Sequence, residues 1–164
     1  MKNLIIGLTI LTISSLANAV PNSWTSFDRQ GYEIYKIDDN KGKSLRIFCN
    51  YASSDDLDHG VYLTINNQDY PNPSSPYPLR LVINDSIDIL GFENTKSKSE
   101  SKKWYTFTSA ITKAKSITIY IENQLVSVIY PKNPATVKNL AKCKSMSDRP
   151  KIGGWSDILN TLLQ

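Results

Sequence analysis

The feature that most constrains this chain is a two-residue rhythm of apolar, mostly branched side chains. Leu45, Ile47 and Cys49 alternate with Arg46, Phe48 and Asn50, and Val61, Leu63 and Ile65 alternate with Tyr62 and Thr64. Leu79, Leu81 and Ile83 share one parity, Ile87 and Ile89 repeat it after Asn84-Asp85, and Ile117, Ile119 and Ile121 face away from Thr118 and Tyr120. Successive side chains of a strand point to opposite faces, so this spacing marks half-buried strands. Tyr32–Ile37 and Leu125–Tyr130 read as further strands, and Trp24–Phe27 is another candidate. Asp38-Asp39-Asn40-Lys41-Gly42 and Glu122-Asn123-Gln124 fall between strands, and Asn and Gly tolerate the positive φ of tight hairpins. Connections this short imply antiparallel pairing.

Three segments change period. Phe107, Ala110, Ile111 and Ala114 have i, i+3, i+4, i+7 spacing, which predicts one helix. Pro134 suits a helix start, with Val137, Leu140 and Ala141 continuing one face and Cys143 at its end. Trp155, Ile158, Leu159, Leu162 and Leu163 form a stripe beyond Pro150 and Gly153-Gly154. The expected fold is α+β: a mostly antiparallel sheet of about 6–8 strands, two short helices covering one face, and a short C-terminal helix. The sheet face carrying Leu45, Leu63, Leu81 and Ile119 needs that cover. The alternative is a β-sandwich or small β-barrel with helices at its edge.

The start of the chain has a different origin. Met1-Lys2-Asn3 is basic, Leu4–Ile13 is largely apolar, and Ala17-Asn18-Ala19 offers small residues at the −3 and −1 positions of a cleavage site. This is the three-part pattern of a secretory signal, cleaved before Val20. No later segment has the length of a membrane span. The expected organisation is a signal at 1–19, one β-rich domain at 20–147, and a linker with an amphipathic helix at 148–164. The expected location is periplasmic or secreted, in a bacterial envelope.

In such a compartment an even number of cysteines favours a bridge, and Cys49 and Cys143 are the two present. A metal pair is disfavoured because His59 is the single histidine and closed sites usually take four ligands. The absence of a C-x-x-C motif argues for a structural role.

Catalytic chemistry is thinly represented. His59 lies in Ser53-Ser54-Asp55-Asp56-Leu57-Asp58-His59-Gly60, which lacks the spacing of a Ca²⁺ loop and reads as a connector. There is no phosphate-binding glycine loop. No catalytic residue, metal or cofactor is expected. Nothing in the spacing of Asp85 and Asp88 supports a carboxylate pair.

Charge is more informative than the formal net of +4. Residues 20–93 carry 6 basic and 11 acidic groups, a net of −5, while residues 94–151 carry 12 basic and 3 acidic groups, a net of +9. Lys96, Lys98, Lys102 and Lys103 crowd one polar loop with Trp104 at its edge. Tyr70 and Tyr77 bracket a stiff, proline-rich segment with amphipathic rings. These seven residues are the candidate binding contacts. The partner is expected to be another protein or an anionic envelope component rather than nucleic acid, since interleaved aromatics are missing.

The resulting expectation is an exported, non-enzymatic envelope protein that occludes or tethers a partner as an inhibitor, immunity-type protein or accessory factor. The alternatives are a small secreted hydrolase acting on a cell-wall or carbohydrate substrate, and a structural subunit of a secretion or conjugation assembly.

Overall fold

The structure is a computed structural model and describes residues 20–52, 57–71, 78–91 and 95–149. The expected signal, the loop at 53–56, Tyr77 with most of the proline-rich segment, and the expected C-terminal helix lie outside the described residues.

Among the described residues, nine strands form two antiparallel sheets. The first has five strands in the order β1 (Trp24–Arg29), β2 (Tyr32–Asp38), β3 (Ser44–Asn50), β4 (Gly60–Ile65), β5 (Gln68–Tyr70). The second has four in the order β7 (Ile87–Leu90), β6 (Leu79–Ile83), β8 (Ile117–Ile121), β9 (Gln124–Ile129). One α-helix, α1 (Lys98–Ile111), and two 3₁₀ turns, Lys138–Lys142 and Met146–Asp148, complete the described fold.

Two-residue turns join β1 to β2, β4 to β5 and β8 to β9. Gln30-Gly31, Asn66-Asn67 and Glu122-Asn123 each have positive φ at both positions, as do Asn84-Asp85 between β6 and β7. That backbone twist matches the twist of the flanking strands. Asn84 is also a brace: its Oδ1 accepts from the amides of Lys115 at 2.7 Å and Ser116 at 3.2 Å, just ahead of β8.

The strands therefore divide between two sheets, where one was expected. Pro71, Pro73, Pro76 and Pro78 lack the amide hydrogens a ladder needs. β5 is only three residues long, and β6 pairs with β7 and β8 instead. Leu45 lies opposite Leu63 in one sheet, and Leu81 lies opposite Ile119 in the other. These four residues belong to one buried cluster with Tyr35, Ile37, Ile47, Ile83, Ile117 and Ile129. The apolar face thus finds its cover mainly in a second sheet and in α1, which adds Trp104, Phe107 and Ile111 to the same core. Among the described residues there is no closed barrel.

Polar links join the sheets. Ser127 of β9 donates to Asp39 Oδ2 at 2.6 Å, and Lys43 Nζ donates to the Val126 carbonyl at 2.6 Å. Asn133 stands in for a neighbouring strand on β1: its Oδ1 accepts from the Trp24 amide at 2.5 Å and its Nδ2 donates to the Trp24 carbonyl at 2.9 Å.

The helices also differ from the periodicity. α1 begins at Lys98, nine residues before Phe107, because Ser97 caps it and its Oγ accepts from the Glu100 amide at 3.3 Å. Ser97-x-x-Glu100 is the sequence pattern of a helix start. The second expected helix is a turn at 134–137 followed by a short 3₁₀ segment. It has two buried anchors, Val137 and Leu140, before Cys143 goes extended to meet β3. Cys49 and Cys143 form a disulfide with Cα atoms 5.9 Å apart. No helix among the described residues is long and apolar enough to cross a membrane.

Candidate functional site

The one histidine lies in the core. His59 is buried, and its Nδ1 accepts from the Asn50 amide at 3.0 Å. Its Nε2–H donates to the Lys144 carbonyl at 2.8 Å, and its ring stacks on Trp104 with centroids 4.6 Å apart. Burial pushes its pKa below 6.5, against the opposing effects of the Lys144 carbonyl and Asp58. Both ring nitrogens are thus engaged, as a neutral tautomer. Cys49 and Cys143 lie close enough to complete a three-ligand cluster with it, but both sulfurs are held in the disulfide. Asp58 serves the same structural junction. Its carboxylate accepts from the His59 amide at 2.6 Å and from the Thr95 amide and hydroxyl at 2.6 and 2.5 Å. That fastens the entry of β4 to the approach of α1. Asp88 is held by Arg80, which donates Nε at 2.9 Å and Nη2 at 2.6 Å to its carboxylate.

The expected contact residues that the structure describes lie on different elements. Trp104 is a correction: it is fully buried, and its indole N–H donates to the Cys143 carbonyl at 3.0 Å. An indole in water would forfeit its large apolar area, so the ring fills the space between His59 and Phe107. Tyr70 is half-buried against the core, opposite Leu63. Lys98, Lys102 and Lys103 sit on α1 rather than in a loop, while Lys96 lies just before it. Lys103 pairs with Glu100 at 2.6 Å. Lys98 and Lys102 flank a shallow hollow with Tyr105 and Asp148, and the Tyr105 hydroxyl donates to Asp148 at 2.7 Å. Among the described contact residues, Tyr70 thus lies on β5 of the first sheet, whereas Lys98, Lys102 and Lys103 lie on α1.

A different surface is more distinctive. On the outer face of the five-stranded sheet, Phe27, Ile34, Phe48 and Gly60 are register partners across four strands. The adjacent row carries Lys36, Arg46 and Tyr62. Phe48 meets Tyr32 edge-on at 5.9 Å and Tyr62 edge-on at 5.3 Å. The Arg46 guanidinium lies over Phe48, 5.6 Å from the ring centre, and pairs with Asp69, which also accepts from Thr64 Oγ1 at 2.7 Å. Gly60 makes this packing possible. A Cβ there would run into Tyr62 Cε2 and come within 3.0 Å of Cζ and the hydroxyl. The tyrosine ring occupies the space that a side chain at 60 would fill.

Over these residues lies an open hollow of about 560 Å³ that reaches from Phe27 on β1 to Asp69 on β5. It adjoins a second hollow of about 280 Å³, bordered by Tyr32, Tyr62, Pro71 and Gly91. The sequence did hold a signal for this face. Phe48 and Tyr62 occupy the parity that alternation assigns to the outer face, where their rings remain partly exposed.

Two antiparallel sheets sharing a core, a capping helix and one disulfide define a small, disulfide-closed two-sheet β protein. Within that class, the chain belongs to the YfjT family, whose profile matches residues 22–142. No curated protein and no solved structure matches it.

Proposed function

We propose that this is an exported, non-enzymatic binding protein of the bacterial cell envelope, acting by occluding or tethering a partner. The single observation that supports it best is the built outer face of the first sheet. Rings and a guanidinium are fixed there by mutual contacts, whereas the one histidine is committed to the core. A site whose groups are held before contact loses less side-chain freedom on binding. The disulfide suits an oxidising compartment, and the amino-terminal pattern supports export.

The test begins with full-length expression in a bacterial host and fractionation. The expected product is an envelope or medium fraction of chain starting at Val20 with no free thiol. That material is then used to capture partners from the host envelope, side by side with the Phe48→Ala/Tyr62→Ala variant. A partner retained by the wild type and lost by a folded variant supports the reading. Cytoplasmic retention of uncleaved chain, or identical capture by both proteins, overturns it.

A further inference from the structure

We propose that the outer face of β1–β5 is the docking site of the chain's own C-terminal segment, residues 150–164, which must leave before a partner can bind there. The inference rests on the binding role above and assigns its regulation.

The point where the described chain ends places the origin of that segment. Arg149 Nη2 donates to Asn50 Oδ1 at 3.2 Å. Asn50 closes β3, shares the outward parity of Arg46 and Phe48, and is the register partner of Tyr32. Tyr32 borders both hollows. The larger hollow lies toward this same end of the sheet, because Arg29, Gln30, Gly60 and Pro71 line it together with Phe48 and Tyr62. The chain therefore emerges beside the hollow.

The segment has the length and the chemistry to cover this face. Residues 150–154 span at most about 17 Å when extended. Residues 155–163 span about 14 Å as the helix their spacing predicts. From β1 to β5 the face measures four strand spacings, about 19 Å. Trp155, Ile158, Leu159, Leu162 and Leu163 make one apolar stripe. A helix this short is marginal alone in water, so its stripe needs a surface. Phe27 in the larger hollow is 46% exposed, and Leu57 in the smaller is 48% exposed.

Charge and composition agree with a peptide occupant of no net charge. The hollow sets Arg29 and Arg46 against Asp58 and Asp69. Residues 150–164 set one cation, Lys151, against one anion, Asp157. Arg, Tyr and Phe are enriched at protein interfaces. Here Arg46 lies over Phe48, which meets Tyr32 and Tyr62 edge-on. The hollow beside Ser147 and Asp148 is also near the exit, but Lys98, Lys102 and Asp148 line it and give an apolar stripe little cover.

The experiment uses Trp155 as a reporter in the exported chain. Trp24 and Trp104 are buried in the core, so a change in acrylamide quenching reports on Trp155. Wild type should be quenched weakly. Its amides at 155–163 should exchange at least about ten-fold more slowly than those of a free peptide of residues 150–164. Phe48→Ala/Tyr62→Ala and Leu159→Asp should each remove both effects. Gly60→Ala should weaken the protection several-fold by displacing the Tyr62 ring. Unchanged near-ultraviolet circular dichroism and an intact disulfide identify the folded variants. The protection should not depend on protein concentration. An unprotected segment in wild type, or protection that survives in folded Phe48→Ala/Tyr62→Ala, overturns the docking. Protection that rises with concentration assigns the face to a second copy and overturns the intramolecular site. In capture from the host envelope, Leu159→Asp should retain several-fold more partner than wild type, and equal capture overturns the regulation. Capture by neither protein while the protection holds overturns the binding role and leaves the docking standing.

Discussion

Removal of the Cys49–Cys143 bridge is the sharpest test of how this fold is held. The bond spans a sequence separation of 94. Closing a loop of that size lowers the entropy of the unfolded chain by an amount worth about 4.6 kcal/mol at 25 °C. The native state should change little when the bond is lost. The Cys143 carbonyl still accepts from Trp104 Nε1 at 3.0 Å, and the Lys144 carbonyl still accepts from His59 Nε2 at 2.8 Å. Both anchors act on the backbone and need no sulfur. Cys49→Ala/Cys143→Ala should therefore keep the near-ultraviolet dichroism of the wild type while losing about 4–5 kcal/mol. With a urea m-value of about 2 kcal/mol/M, the midpoint should fall by roughly 2 M. Typical domains have about 5–15 kcal/mol in total, so the variant should fold in water with a small margin. Reduced wild type should unfold at nearly the same urea concentration as the variant. A midpoint shift below about 0.5 M at unchanged m-value would refute the reasoning. So would an altered native spectrum, which would show that the bond, rather than Trp104 and His59, positions the 3₁₀ segment.

Three further outcomes follow from buried groups. His59 has its pKa lowered by burial, so below about pH 6.5 the unfolded chain takes up a proton that the folded chain refuses. Its contribution is fully present above that pH and is lost as pH falls toward the lowered folded value; urea midpoints between about pH 7.5 and 5 should show this slope, and His59→Asn should lack it. Trp104→Ala should cost about 3–5 kcal/mol, read by thermal or urea unfolding, because it empties a core position and leaves the Cys143 carbonyl without its donor. A near-neutral result would mean that the ring is a surface contact after all. Asn133→Ala should cost about 1–3 kcal/mol and raise hydrogen exchange at the Trp24 amide, since both bonds bracing β1 disappear.

The strand pattern was legible because alternation is local. Ile117, Ile119 and Ile121 sit on β8, and Leu45, Ile47 and Cys49 point inward from β3, as their spacing requires. The turns at 38–42, Asn84-Asp85 and 122–124 were legible for the same reason, whereas those at Gln30-Gly31 and Asn66-Asn67 were not read. The start of α1 was also written in Ser97 and Glu100, but its first two turns are nearly all polar and offer no apolar stripe to periodicity. Trp104 was misplaced as a contact because a tryptophan beside lysines looks the same in sequence whether the helix turns it outward or inward. Its rotation is set by Phe107 and Ile111 further along the same helix.

The binding face was harder to read than any single strand. Phe27, Ile34, Phe48 and Tyr62 come from four strands and lie up to 35 positions apart in the chain. By itself the sequence determined that the chain is β-rich, with turns at 38–42 and 122–124 and both cysteines placed near the ends of ordered segments. It also determined which residues of β3, β4, β6 and β8 face the core. Tertiary structure decided that the strands form two sheets rather than one, because only packing shows which apolar faces cover each other. It also decided that outward rings on separate strands become neighbours. A strand's parity is fixed by its own backbone, whereas its neighbour and register are fixed by long-range pairing that no local pattern carries.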